Sequence, residues 1–158
     1  MNRKQLSVAF FLVFFTNVAL AWAGDRGRVV QGAGTTLVTG GTGTPLFVPV
    51  LTKFGIHWRD GQGRLDCLAL ASSITTAGTP GSGNFDTNVM YVTGPITAVE
   101  IHGAIAVLTG TATVTGLGAG SGRPFTATAE RGGSGARFVL TVSGLTFEET
   151  LLEGEITF

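Results

Sequence analysis

The sequence predicts an all-β fold, either an antiparallel β-sandwich or a small closed β-barrel of about 8 to 10 short strands. Apolar and polar residues alternate with a period of two in run after run, which is typical of half-buried strands. Gly-rich turns separate these runs at the roughly 8 to 12 residue spacing of all-β domains. Apolar residues at helical spacing never persist beyond the N-terminal segment, so we expect no substantial helix after it.

The first 23 residues have the pattern of a secretory signal peptide. Arg3 and Lys4 give the positive start, Leu6–Leu20 is an apolar run, and Ala21-Trp22-Ala23 is an A-x-A cleavage site. The apolar run is shorter than the roughly 20 residues that a membrane-spanning helix needs, which favours cleavage over an uncleaved anchor. We therefore expect cleavage after Ala23 and a periplasmic or extracellular protein.

The composition of the remaining chain excludes several classes of protein. Without Arg3 and Lys4, the 10 basic residues fall to eight against 10 acidic ones, and no basic stripe exists for nucleic acid. All 25 glycines follow residue 23 without a G-X-Y period, which excludes collagen. Cys67 is the only cysteine, so an internal disulfide is impossible, and we expect it to be buried.

Residues 24–48 are expected to form an N-terminal arm or short strands followed by a Gly-rich loop, and 49–158 a single all-β domain. In the first segment, Arg28–Gln31 and Thr35–Val38 are the candidate strands. The clearest hairpin begins the second segment, with strands Pro49–Arg59 and Arg64–Ala71. The connection is Asp60-Gly61-Gln62-Gly63, in which Asp-Gly and the second Gly are expected to supply the positive φ angles of a tight turn.

A long loop and six or seven further strands are predicted after this hairpin, since the last two runs could form one closing strand or two. Thr75–Asp86 is rich in Thr, Gly, Pro and Ser and reads as the loop. Gly94-Pro95 is expected to break the chain between two strands. The predicted strands are Thr87–Thr93, Ile96–Ile101, Ala104–Val114, Phe125–Glu130, Ala136–Val142, Thr146–Thr150 and Glu153–Phe158.

Part of this pattern is similar to a known family. The motifs that carry the similarity are Ile96-Thr97-Ala98-Val99, Leu108–Val114, Phe125–Ala129 and Phe138-Val139-Leu140. Over roughly residues 50–142, the chain resembles the post-COAP-like β domains of exported bacterial proteins. The resemblance implies a bacterial source, export and an all-β domain. It carries no catalytic residues to this chain.

Motifs for catalysis or metal binding are not found. The sequence contains no GxGxxG, GxxxxGK[ST], HExxH or GxSxG pattern. His57 and His102 read as surface residues, and Asn84–Asn88 as a strand entry, because a calcium loop would need Gly where Val89 stands. We therefore expect no catalytic residue, no metal site and no cofactor.

Two alternatives arise from the C-terminal end. Glu148, Glu149, Glu153 and Glu155 are expected to be solvated strand faces or edge charges, but a carboxylate pair would also suit a secreted hydrolase. A terminal Phe158 keeps a small outer-membrane β-barrel open as a further alternative.

The leading expectation is a non-catalytic domain with a structural or ligand-binding role. The partner would be a small molecule, a glycan or a protein, and the sequence does not fix the oligomeric state. Candidate binding residues are those on or beside the loops and hairpins, together with the one Trp and one Tyr that follow residue 23. They are Trp58, Asp60, Asp86, Tyr91 and Arg123.

Overall fold

A computed structural model describes residues 28–44, 49–72 and 84–158. They form eight strands in one closed antiparallel barrel, in which each strand pairs with the next and β8 pairs with β1. The prediction of an all-β small closed barrel is confirmed, and the sandwich alternative is not observed. The strands are β1 Val29–Gly40, β2 Val50–Arg59, β3 Gln62–Ser72, β4 Phe85–His102, β5 Ile105–Gly116, β6 Gly120–Glu130, β7 Arg137–Val142 and β8 Leu145–Thr157.

The first strand of the barrel comes from residues 24–48, where an N-terminal arm or short strands were expected. Val29–Gly40 is one continuous strand that pairs with β2 on one side and β8 on the other. The two predicted short strands are therefore one, and the domain includes this segment as well as residues 49–158. The predicted signal peptide, residues 1–23, lies outside the described residues.

Most strands are longer than the sequence suggested, because glycines and bulges do not end them. β4 continues through Gly94-Pro95, with a register shift between Ile96 and Ala98 that absorbs the irregularity. β8 joins the two predicted closing strands. Its pairing with β1 shifts so that Leu152 is an extra residue, 46% exposed on the outer wall.

The predicted hairpin is confirmed, but its turn is tighter than the four residues expected, because Gln62 and Gly63 already belong to β3 and Gly63 does not have a positive φ. Arg59 pairs with Gln62, so the loop has two residues. Both have positive φ, 52° at Asp60 and 82° at Gly61, which is the combination that the right-handed twist of a tight hairpin requires.

The interior of the barrel is filled with apolar side chains. An eight-stranded barrel is only just wide enough for side chains to fill, and its interior combines large and small apolar side chains. Phe54 and Phe138 stack with ring centroids 4.9 Å apart. Small residues lie fully buried around them, among them Ala106, Ala127 and Ala129.

The two ends of the barrel are distinguished by their connections. We call the end where β1 finishes and β2 begins the upper end, and the end that carries the Asp60-Gly61 turn the lower end. No helix in the described ranges is long and apolar enough to cross a membrane.

Candidate functional site

The five predicted binding residues do not meet in one place. Trp58 points into the lower half of the barrel and is 2% exposed, and its indole N–H has no hydrogen-bond partner among the described residues. Asp60 lies in the turn at the lower end. Asp86 and Arg123 are exposed near the upper end, where Arg123 donates a hydrogen bond to the Ala119 carbonyl oxygen at 3.1 Å.

Tyr91 belongs to a polar cluster on the outer wall. Its hydroxyl donates to Asp66 Oδ1 at 2.9 Å, and Arg64 Nε contacts Asp66 Oδ2 at 3.1 Å. Thr93 also donates to Asp66. Partial burial raises the pKa of Asp66, but the hydrogen bonds from Thr93, Tyr91 and Arg64 outweigh it and leave that pKa below its ordinary value. The cluster ties β3 to β4, and its hydrogen bonds are made within the barrel wall.

Tyr91→Phe is expected to lower the free energy of unfolding by about 1 kcal/mol, the net value of one hydrogen bond. Urea unfolding followed by circular dichroism measures this. Arg123→Ala is the matched surface variant and should change stability by less than about 0.5 kcal/mol. Equal effects of the two substitutions would contradict a tying role for the Tyr91 hydroxyl.

A second polar cluster lies inside the barrel. Thr36, Thr52 and Glu149 are the buried polar or charged residues of the described chain, with exposures of 0%, 2% and 3%. They project from β1, β2 and β8 into the upper half of an otherwise apolar interior. We call these three residues the interior polar cluster.

The position of Glu149 corrects the prediction for the acidic end. Phe147, Glu149 and Leu151 alternate with outward residues and are all buried, because strand positions two apart share a face. Glu148 lies on the outer wall, where it contacts Arg137 at 3.5 Å. The sequence contains a signal for this burial, because Glu149 lies between Phe147 and Leu151 at strand positions that share one face.

Hydrogen bonds link the interior polar cluster into a chain. Thr36 Oγ1 donates to Glu149 Oε2 and lies 3.2 Å from the Thr52 carbonyl oxygen. The Thr36 hydroxyl has a single hydrogen and cannot serve two acceptors fully. If Glu149 is protonated, its O–H donates to Thr36, and Thr36 donates to the Thr52 carbonyl. The neutral carboxyl therefore satisfies this arrangement better than the carboxylate does.

Burial raises the pKa of Glu149 from 4.5 to about 7, against the opposing effect of hydrogen bonds from Thr36 and Thr52. The desolvation of the charged form outweighs the hydrogen bonds to it. A group that titrates near neutral pH can hold or release a proton under ordinary conditions, which makes Glu149 the strongest candidate for function in the barrel.

A small cavity adjoins Glu149. Its volume is about 20 Å³, enough for one water molecule. Its wall is mainly apolar and comes from five strands. The lining residues are Thr52, Cys67, Ala69, Met90, Val92, Leu140, Phe147 and Glu149.

Cys67 is buried, as predicted, and it lines this cavity. Burial raises the pKa of its thiol well above the ordinary value, and the nearby Glu149 and Asp66 carboxylates add to the effect. The thiolate is the nucleophilic form of cysteine, so Cys67 is a neutral part of the wall.

Known protein families, curated proteins and solved structures provide no match to this chain. Its function must therefore be inferred from the side chains themselves.

The described residues contain little that suits hydrolysis or metal binding. Glu148, Glu153 and Glu155 lie on the outside of β8, so Glu149 is the one carboxyl of the described interior. Glycoside hydrolysis uses two carboxyl groups about 5 to 9.5 Å apart across a bond. No three His, Cys, Asp or Glu side chains of the described residues are grouped to hold a metal ion.

Proposed function

We propose that this chain is an exported bacterial β-barrel domain that binds a small, largely apolar ligand in the upper half of its interior. The role is non-catalytic, and Glu149 supplies the polar contact. One observation carries the proposal: Glu149, the one buried carboxyl among the described residues, lies beside a cavity in an apolar interior. Binding sites are usually apolar and contain a few well-placed polar groups.

The free-energy cost of burying the Glu149 carboxyl supports a binding role over a purely structural one. A buried group whose pKa is raised by burial destabilises the fold whenever it is charged. An apolar residue of similar volume would fill the same position without that cost. A carboxyl at this position is better explained by an interaction that it makes with a ligand.

The cavity has room for the polar head of a ligand, and the proposal requires neighbouring side chains to move aside for the apolar part. Met90 lines the cavity and is buried. Its unbranched side chain has three rotatable bonds and adapts its shape readily. Ala69, on β3, is also part of the wall, which makes it the position where a larger side chain would fill the space.

The proposed location rests on the signal-peptide pattern of residues 1–23. The barrel wall is compatible with it, because the outward positions carry charges such as Lys53, Asp66 and Glu153, and the interior is apolar. Outer-membrane barrels have the reverse arrangement, with an apolar outer band and a polar lumen. The distribution of charge therefore favours an aqueous periplasmic or extracellular setting.

The test is to titrate methyl-labelled protein with n-butanol and to monitor the methyl signals by NMR. Butanol is a small apolar probe with one polar group. We expect saturable shifts of the Met90 and Leu140 methyl groups. Ala69→Leu fills the cavity and should abolish them, while Ala33→Leu, on the exposed outer wall, should leave them unchanged. Shifts that fail to saturate, or that persist in Ala69→Leu, would count against the proposal.

A further inference from the structure

Glu149 has no cationic partner within the described barrel. Every described Lys, Arg and His side chain is exposed, and Lys53, His57 and Arg137 all point away from the interior. The two internal segments outside the described ranges, 45–48 and 73–83, contain no Lys, Arg or His in their sequence. Residues 28–158 therefore supply no cation for Glu149, and we look for one outside the described barrel.

Buried charges in proteins are almost always paired. An unpaired carboxylate can meet this requirement by taking up a proton or by binding a positively charged group. The same apolar surroundings that make the isolated carboxylate unfavourable strengthen its attraction to a cation that shares the cavity.

We infer that the ligand of this site is a small primary amine in its ammonium form, which pairs with Glu149 and places its alkyl part against Met90, Val92 and Leu140. This inference rests on the proposed function and names its ligand class. An ammonium group is about the size of the water molecule that the 20 Å³ cavity can hold. Its three N–H donors match the Glu149 carboxylate and the hydroxyl of Thr52, which also lines the cavity.

Binding of a cation should be linked to the loss of a proton from Glu149. The groups that face Glu149 are the Thr36 and Thr52 hydroxyls from β1 and β2 and the Cys67 thiol from β3, while β7 faces the cavity with Leu140. None of these is charged near neutral pH. The neutral carboxyl must therefore ionise before it can form the ion pair, and acid should weaken amine binding.

The experiment compares n-butylamine with n-butanol by isothermal titration calorimetry at pH 6 and pH 8. Butylamine stays protonated at both pH values. We expect it to bind about tenfold more weakly at pH 6 than at pH 8, with proton release at pH 6. Butanol lacks the charge and should show no such weakening.

Two variants locate the binding. Glu149→Gln keeps the shape and removes the charge, and it should abolish butylamine binding. Glu148→Gln removes the neighbouring outward carboxylate and should leave binding unchanged. The pH dependence of the natural protein tests the inference even if Glu149→Gln does not fold.

The outcomes separate the two proposals. Binding of butanol without binding of butylamine would overturn the amine class and retain the proposed function. Failure of both probes to bind would overturn both proposals. Butylamine binding that is independent of pH, that survives Glu149→Gln or that is lost in Glu148→Gln would place the amine elsewhere and overturn the inference.

Discussion

Raising the pH from 5 to 8 is expected to lower the free energy of unfolding by roughly 2 to 3 kcal/mol. The cause is Glu149, whose pKa is about 7 in the barrel and 4.5 in its ordinary state. Below pH 4.5 the group is protonated in both the folded and unfolded chains. As the pH rises from 4.5 to about 7, the unfolded chain ionises while the folded chain stays protonated, so stability falls; above about pH 7 both states are ionised and stability levels off.

Urea unfolding at pH 5, 6, 7 and 8 measures the effect, and two glutamine variants control it. Glu149→Gln should remove most of the pH dependence and be the more stable protein at pH 8. Glu148→Gln should retain the dependence, since that side chain is 47% exposed. An unchanged slope in Glu149→Gln would show that another group causes the effect. Asp66 changes stability in the opposite direction and in a separate pH range. Its pKa is lowered in the folded protein, so its contribution to stability is lost only when the pH falls into stronger acid.

Gly94→Ala is expected to lower the free energy of unfolding by at least about 3 kcal/mol or to prevent folding. A Cβ atom at Gly94 would overlap the Thr111 carbonyl oxygen and lie 2.7 Å from Ala112 Cα. Both are backbone atoms of β5, so no side-chain rotation relieves the overlap. The strands must separate locally, which costs more than ordinary overpacking of about 1 to 3 kcal/mol.

Gly55→Ala is the matched control on β2. A Cβ atom there meets no atom within 4 Å, so the substitution should leave stability unchanged or raise it by up to about 1 kcal/mol, through the reduced freedom of the unfolded chain. Thermal unfolding of both variants by circular dichroism gives the comparison. Similar melting temperatures for Gly94→Ala and Gly55→Ala would mean that the β4 and β5 backbones move apart more easily than their close approach at Gly94 suggests.

The sequence was informative wherever structure depends on neighbouring residues. Asp60-Gly61 defines its own turn, and the alternation around Trp58 already placed that side chain opposite the exposed His57. Trp58 is a candidate binding residue as the one Trp after residue 23, and the structure places its side chain in the interior, 2% exposed, on the face that this alternation indicates.

The parts that were not predicted depend on distant residues. Gly94-Pro95 looks like a break in isolation, but pairing with β3 and β5 on both sides carries the strand through it. The alternation of β8 indicates that Glu149 shares a face with Phe147 and Leu151, but only the pairing with β1 and the closure of the barrel bring Thr36 and Thr52 against it. A bulge at Leu152 resets which residues of β8 face inward, and it cannot be located without the partner strand.

The pairing of β1 with β8 also governs how this chain folds. Thr35 and Glu153 meet across that seam although 118 positions separate them in sequence. Contacts of such long range are slow to form, because the chain loses conformational entropy on closing before the contacts contribute favourable free energy. Until β8 docks, the outer edges of β1 and β7 remain unpaired and can template association with other chains. A chain in which the seam is still open is therefore more exposed to aggregation than the closed barrel, and pairing of β8 with β1 and β7 ends that exposure.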